Sequence, residues 1–145
     1  MAELIEVQTE RLRLRQWQPA DRAPLAALNA DPRVMEFFPA TLTRAESDQM
    51  ADRCESLIEK QGWGPWAVES KVTQEFVGVV GLHIPSAELP FSPSVEILWR
   101  LAFEHWGKGF AAEAAKAAVR VGFEVLDLPQ IVGFTTLPNP RSPAG

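Results

Sequence analysis

With 145 residues, 46% of them hydrophobic and 23% charged, the chain has the length and composition of one globular domain spanning residues 1–145. Its net charge of −5 is the opposite of what a phosphate-backbone binder needs, so no nucleic-acid partner is expected. The single cysteine, Cys54, rules out an internal disulfide framework, and the two distant histidines, His83 and His105, make no metal site.

The opening residues, Met1 to Glu6, have neither a basic start nor an apolar run, so they do not read as a signal peptide. No apolar segment reaches membrane-spanning length. A cytoplasmic protein with no membrane partner is the expectation, and Cys54, among Met50, Leu57 and Ile58, reads as a buried thiol.

Arg11 to Arg15 alternates charged and apolar residues, the period of a half-buried strand. Pro19 to Asp21 punctuates, and Leu25 and Leu28 mark a short helix that Asp31-Pro32 breaks. Val34, Met35, Phe37 and Phe38 then form an apolar cluster. Thr43 and Glu46 have the form of a capping box, predicting a helix from Arg44 to Lys60 that faces Met50, Cys54, Leu57 and Ile58 inward. Gly62 and Gly64 end it.

Trp66 to Val68 and Phe76 to Leu82 read as a hairpin turning through Ser70 to Glu75, and Val95 to Leu101 as a further strand. From Gly109 to Asp127, Glu113, Lys116, Arg120, Glu124 and Asp127 form a solvent stripe opposite Ala111, Ala114, Ala118, Val121 and Val125. Pro129 stops this helix, and Ile131 to Thr136 reads as the next strand. The predicted order β-α-α-β-β-β-α-β is an α/β plan built round a mixed sheet.

Chemistry concentrates between the strand at Val95 to Leu101 and the helix after it, at Trp106-Gly107-Lys108-Gly109-Phe110-Ala111. A helix N-terminus offers unpartnered N–H groups and the positive end of the helix dipole. Glycines let an anion approach the backbone, and Lys108 can add a point charge. The spacing is neither a nucleotide P-loop nor GxGxxG, and a plain tight turn is the bland alternative.

Glu96 to Leu101 followed by Trp106 to Ala114 resembles the strand-loop-helix of GNAT N-acetyltransferases. In that family Q/R-x-x-G-x-G/A binds the coenzyme A pyrophosphate; here Gly109 and Ala111 match and Trp106 departs at the first position. Thr9 to Arg15, the Asp31-Pro32 break and Phe76 to Leu82 resemble the subgroup that acetylates N-terminal amines of ribosomal proteins, with its small-molecule relatives. Leu98, where glycine is common, and Phe103, where proline is common, depart from it.

The resemblance implies a mixed, mostly antiparallel sheet of α+β type flanked by helices, and transfer of acetyl from acetyl-CoA to a primary amine by direct attack. Leu101, Trp106, Gly107, Lys108, Gly109, Phe110, Ala111 and Asn139 are its implied cofactor-binding positions. Glu96 is the implied base, with an exposed strand glutamate as the alternative. The general-acid tyrosine common in the family is missing, since the chain contains no tyrosine. Asn139-Pro140-Arg141-Ser142 keeps an N-x-x-S spacing in which Ser142 can serve the thiol; an unstructured proline-rich tail is the alternative.

His83 reads as structural, Trp63 and Trp66 as cleft or core, Trp17 and Trp99 as core. The sequence ends before the family's last helix and strands. That predicts an open strand at Ile131 to Thr136 and a homodimer across it, and it leaves a non-catalytic CoA-binding or partner-binding remnant as the rival function.

Overall fold

The computed structural model describes residues 3–83, 95–128, 130–132 and 136–138. Its strands are β1 (Val7–Gln8), β2 (Leu12–Arg15), β3 (Pro65–Ser70), β4 (Phe76–His83), β5 (Glu96–Leu101), β6 (Gln130–Val132) and β7 (Thr136–Pro138). Its helices are α1 (Arg22–Asn29), α2 (Arg44–Gln61) and α3 (Phe110–Arg120). The strands form one sheet in chain order, antiparallel from β1 to β5, parallel between β5 and β6, and antiparallel between β6 and β7. This is the mixed, mostly antiparallel sheet expected.

The helices pack on opposite faces. Arg100 of β5 reaches Asn29 of α1 and Met50 of α2. On the other face, the segment continuing α3 lies against Leu82 and Ile131 at Gly122. The core is built by Leu12 and Leu14 of β2, Trp66 and Val68 of β3, Val77, Val79 and Val80 of β4, and Leu25 and Ile58 of the helices, all fully or almost fully buried.

The capping box at α2 forms as predicted, with Glu46 N–H donating to Thr43 Oγ1 at 3.1 Å and Thr43 N–H to Glu46 Oε1 at 2.9 Å. Gly62 closes α2 in the left-handed region at φ 89°. Arg15 departs from the half-exposed alternation: it is buried, and Asp21 (2.8 and 3.0 Å) and Glu69 (2.8 Å) hold its guanidinium. Two carboxylates within hydrogen-bond reach make the burial of that charge tolerable.

The last predicted helix is shorter than its pattern. After Arg120 the chain makes a π turn over Val121–Val125, in which Leu126 N–H donates to Val121 C=O at 3.0 Å. The extra residue in the turn rotates the side chains after Arg120 relative to the helical period. Val121, Gly122 and Phe123 turn inward, whereas Val125, expected inside, is 61% exposed. A Cβ on Gly122 would lie 2.6 Å from Ile131 Cδ1, so the missing side chain is what lets the turn sit on β6.

The single strand expected over 131–136 is two strands. Ile131 pairs with Leu137 across β6 and β7, so the far edge of the described sheet is β7 and the open strand expected at 131–136 is covered. β1, two residues long, is too short to show a strand period in the sequence.

Candidate active site

β5 sets the site. Ala102 N–H donates to Val77 C=O at 3.0 Å, which fixes the phase of the antiparallel ladder with β4. By the alternation of such ladders, the N–H groups of Ile97, Trp99 and Leu101 point away from β4. On the far side, the pairing to β6 is described at one position, Glu96 opposite Val132. Beyond that point β5 borders a cleft of about 790 Å³. The segment from Arg33 to Phe38 forms one wall of it, and Trp106, Gly107 and the first turn of α3 form the other.

The loop before α3 has the backbone its glycines permit. Gly107 and Gly109 both lie in the left-handed region, at φ 81° and 79°. A Cβ on Gly107 would meet nothing within 4 Å, and one on Gly109 would approach only Arg11 Nη2, at 3.3 Å. The glycines are therefore required chiefly by conformation, and they leave the backbone open to a ligand. The first bond into α3 runs from Glu113 N–H to Gly109 C=O at 3.0 Å, so the N–H groups of Phe110, Ala111 and Ala112 face out of the helix end.

Glu113 does not join the solvent stripe. Its carboxylate accepts from Thr9 Oγ1, from Arg11 N–H at 2.9 Å and from Arg11 Nε at 2.7 Å, and its side chain is 18% exposed. Burial pushes its pKa up, but the bonds from Thr9 and Arg11 outweigh that and hold it below the ordinary carboxylate range. Arg11 Nη1 in turn donates to Lys108 C=O at 2.8 Å. The amino-terminal segment thus ties the loop to α3, a long-range link that no local pattern displays.

Glu96 lines the cleft at the end of β5 remote from the loop. The strand between Glu96 and Leu101 spans about 17 Å at 3.3 Å per residue. His83 Nε2 lies 3.4 Å from Glu96 Oε2, so the histidine read as structural is the neighbour of the expected base. Leu101 and Trp106 meet through Trp106 Nε1, which donates to Leu101 C=O at 3.0 Å. Phe110 and Ala111 line the cleft with Gly107 and Gly109, while Lys108 is exposed and outside its lining.

Trp66 is fully buried, its Nε1 donating to Ile5 C=O at 2.9 Å, so it is core; Trp17 is core too, whereas Trp99 lines the cleft. Asn139 and Ser142 lie outside the described residues. Among the described residues there is no cluster of potential metal ligands, and no helix is long and apolar enough to cross a membrane.

A sequence model described as "Acetyltransferase (GNAT) domain" matches residues 11–144. The chain belongs to the GNAT acetyltransferase family. It is 32% identical over 116 residues to the uncharacterized protein YkkB of Bacillus subtilis, covering 79% of this chain and 66% of that one. It is 31% identical to the uncharacterized N-acetyltransferase p20 of Bacillus licheniformis over 126 residues, 85% and 68% of the two lengths. Among solved structures, an acetyltransferase from Agrobacterium tumefaciens superposes with a TM-score of 0.74 at 29% identity, covering 92% of this chain and 75% of that one. The GNAT assignment makes the chain an N-acetyltransferase with acetyl-CoA as co-substrate. The left-handed glycines and outward N–H groups at α3 fit the negative charge that acetyl-CoA carries.

Proposed function

We propose that the chain transfers the acetyl group of acetyl-CoA to a primary amine by direct attack, with both substrates bound together in the cleft. The observation that carries this reading is one continuous cleft with the open N-terminus of α3 at one end and Glu96 at the other. The pyrophosphate lies on the N–H groups of Phe110, Ala111 and Ala112, with Gly107 and Gly109 leaving room. The acyl arm runs along β5 beyond its pairing with β6, where the strand backbone meets the carbonyl oxygen as negative charge develops on it.

Glu96 takes a proton from the ammonium group directly or through a water, and His83 steadies the carboxylate. The amine nitrogen then bonds to the acetyl carbon, the C–S bond breaks, and the thiolate leaves to be protonated. Holding the reactants together supplies most of the acceleration. Acceptors are a protein N-terminus or a small-molecule amine, and the chain works as a homodimer.

Thiol release from acetyl-CoA with a panel of amines and N-terminal peptides tests the reaction. Amine-dependent release supports it. Affinity for CoA with no release for any acceptor would support the non-catalytic alternative. Light scattering at micromolar concentration decides the assembly, and a well-folded monomer removes the dimer.

A further inference from the structure

Three charged side chains from β5 and the Arg33–Phe38 wall line the cleft, and two of them already have an ionisable neighbour. Arg33 Nη2 sits 2.7 Å from Asp31 Oδ2, and Glu96 faces His83. The third, Arg100, lies within 4 Å of no carboxylate among the described residues. Its Nη1 donates to Asn29 Oδ1 at 2.7 Å and approaches Met50 Sδ at 3.5 Å, its guanidinium lies 4.3 Å from the Phe38 ring centroid, and its Nε is buried without a partner. Burial lowers its pKa. Nearby Cys54 gives no counter-charge, because burial pushes its thiol up to about 12 and keeps it protonated.

The neutral partners hold this charge in place without cancelling it. Asn29 is itself fully buried, with Nδ2 on Ser47 Oγ at 3.0 Å, so its oxygen is aimed at Arg100. A partly buried cation with no anion is costly, and the cost is relieved when an anion arrives. Arg100 also shares a sheet face with Glu96 and Leu98, by the two-residue period of a strand, and all three line the cleft.

We infer that Arg100 is the acceptor-binding residue for a carboxylate, so that the preferred substrates are small amines whose skeleton also carries a carboxyl group. This rests on the acetyltransferase reading above. The planar guanidinium matches a carboxylate, with the Phe38 ring closing over the pair. The amine end then lies toward Glu96, past Leu98, whose side chain sets how long the skeleton must be.

The test compares matched acceptors with and without a carboxylate: γ-aminobutyrate against n-butylamine, and ε-aminocaproate against n-hexylamine. The wild type is expected to prefer the carboxylate-bearing member through a lower KM. In Arg100→Met that preference falls by roughly tenfold or more, the scale of a lost charge-assisted pair. Arg100→Lys, which keeps the charge without the planar fork, recovers part of it.

A parallel fall for both members, with their ratio intact, would show a structural arginine and overturn the assignment. So would a rise in KM confined to acetyl-CoA, which would place Arg100 in the co-substrate site. If no amine releases thiol, the acetyl-transfer reading fails separately, and calorimetric titration of the CoA-saturated protein with ε-aminocaproate decides the arginine. Binding lost in Arg100→Met supports the site, and binding absent from the wild type or equal in both overturns it.

Discussion

At the scale of single residues, the question is what each charge in the cleft accomplishes. A carboxylate base matters in proportion to the proton it must remove. A peptide α-amino group has a pKa of ~8 and a lysine-type amine one of ~10.4, so the second is far less often neutral at pH 7. Glu96→Gln is therefore expected to lower turnover more for an alkylamine than for a peptide N-terminus. A pH–rate series on both acceptors measures this, and superimposable profiles for wild type and variant would return Glu96 to an exposed strand residue.

The sequence showed Glu96 because a family pattern surrounds it. It did not show His83 beside it, because the two are thirteen positions apart in sequence and only the β4–β5 register joins them. Arg100 was hidden for a related reason. An arginine in an alternating strand looks solvated, and its burial against Asn29 and Met50 comes from helices far away in the chain.

Glu113 belongs to the scale of elements, since it fastens the connection between β1 and β2 to the head of α3. A carboxylate whose pKa is depressed on folding stabilises the fold fully above its unfolded pKa. That contribution disappears as the pH falls through the lower folded value. For Glu113 the bonds from Thr9 and Arg11 depress it, so its contribution is whole at pH 7 and fades below about pH 4, the ordinary carboxylate range. Urea unfolding should find wild type more stable than Glu113→Gln at neutral pH, with the gap shrinking toward pH 3. A gap that does not change with pH would mean that packing, not charge, accounts for the difference.

The same scale explains a second sensitive position. A Cβ on Gly81 would lie 2.1 Å from Gly64 C=O and 2.6 Å from Pro65 Cα, both backbone atoms that cannot swing aside. Gly81→Ala should cost about 3 kcal/mol or more, through separation of β3 and β4. Thermal unfolding measures it, and a loss under about 1 kcal/mol would mean the strands part easily. Strand and helix existence were legible from periodicity and caps, as at Thr43 and Glu46. The π turn was not, because the small face of α3 keeps its apparent period through Val125 while the backbone takes an extra residue to seat Gly122 on Ile131.

For the whole molecule, the cleft brings together parts that lie far apart along the chain. Its walls come from the Arg33–Phe38 segment, from β5 and from the loop before α3, whose anchor reaches back to Arg11. A ligand spanning them binds the folded chain and not the unfolded one, so it must raise stability. At a hundredfold excess over Kd the gain is about 2.7 kcal/mol, which for a domain of this size is a rise in Tm of roughly 10 °C.

Acetyl-CoA and CoA should give nearly the same shift, because the pyrophosphate contacts at α3 are common to both. Gly109→Val should abolish most of it: valine at a φ of 79° is strained, and relief of that strain pulls the first turn out of shape. Glu96→Gln, at the far end of β5, should keep it. Differential scanning fluorimetry of the three proteins across a CoA titration separates these outcomes. No shift in the wild type, or an equal shift in Gly109→Val, would sink the assignment of the α3 N-terminus as the pyrophosphate site. A shift retained by Glu96→Gln but lost by Gly109→Val would fix the direction in which acetyl-CoA lies along β5.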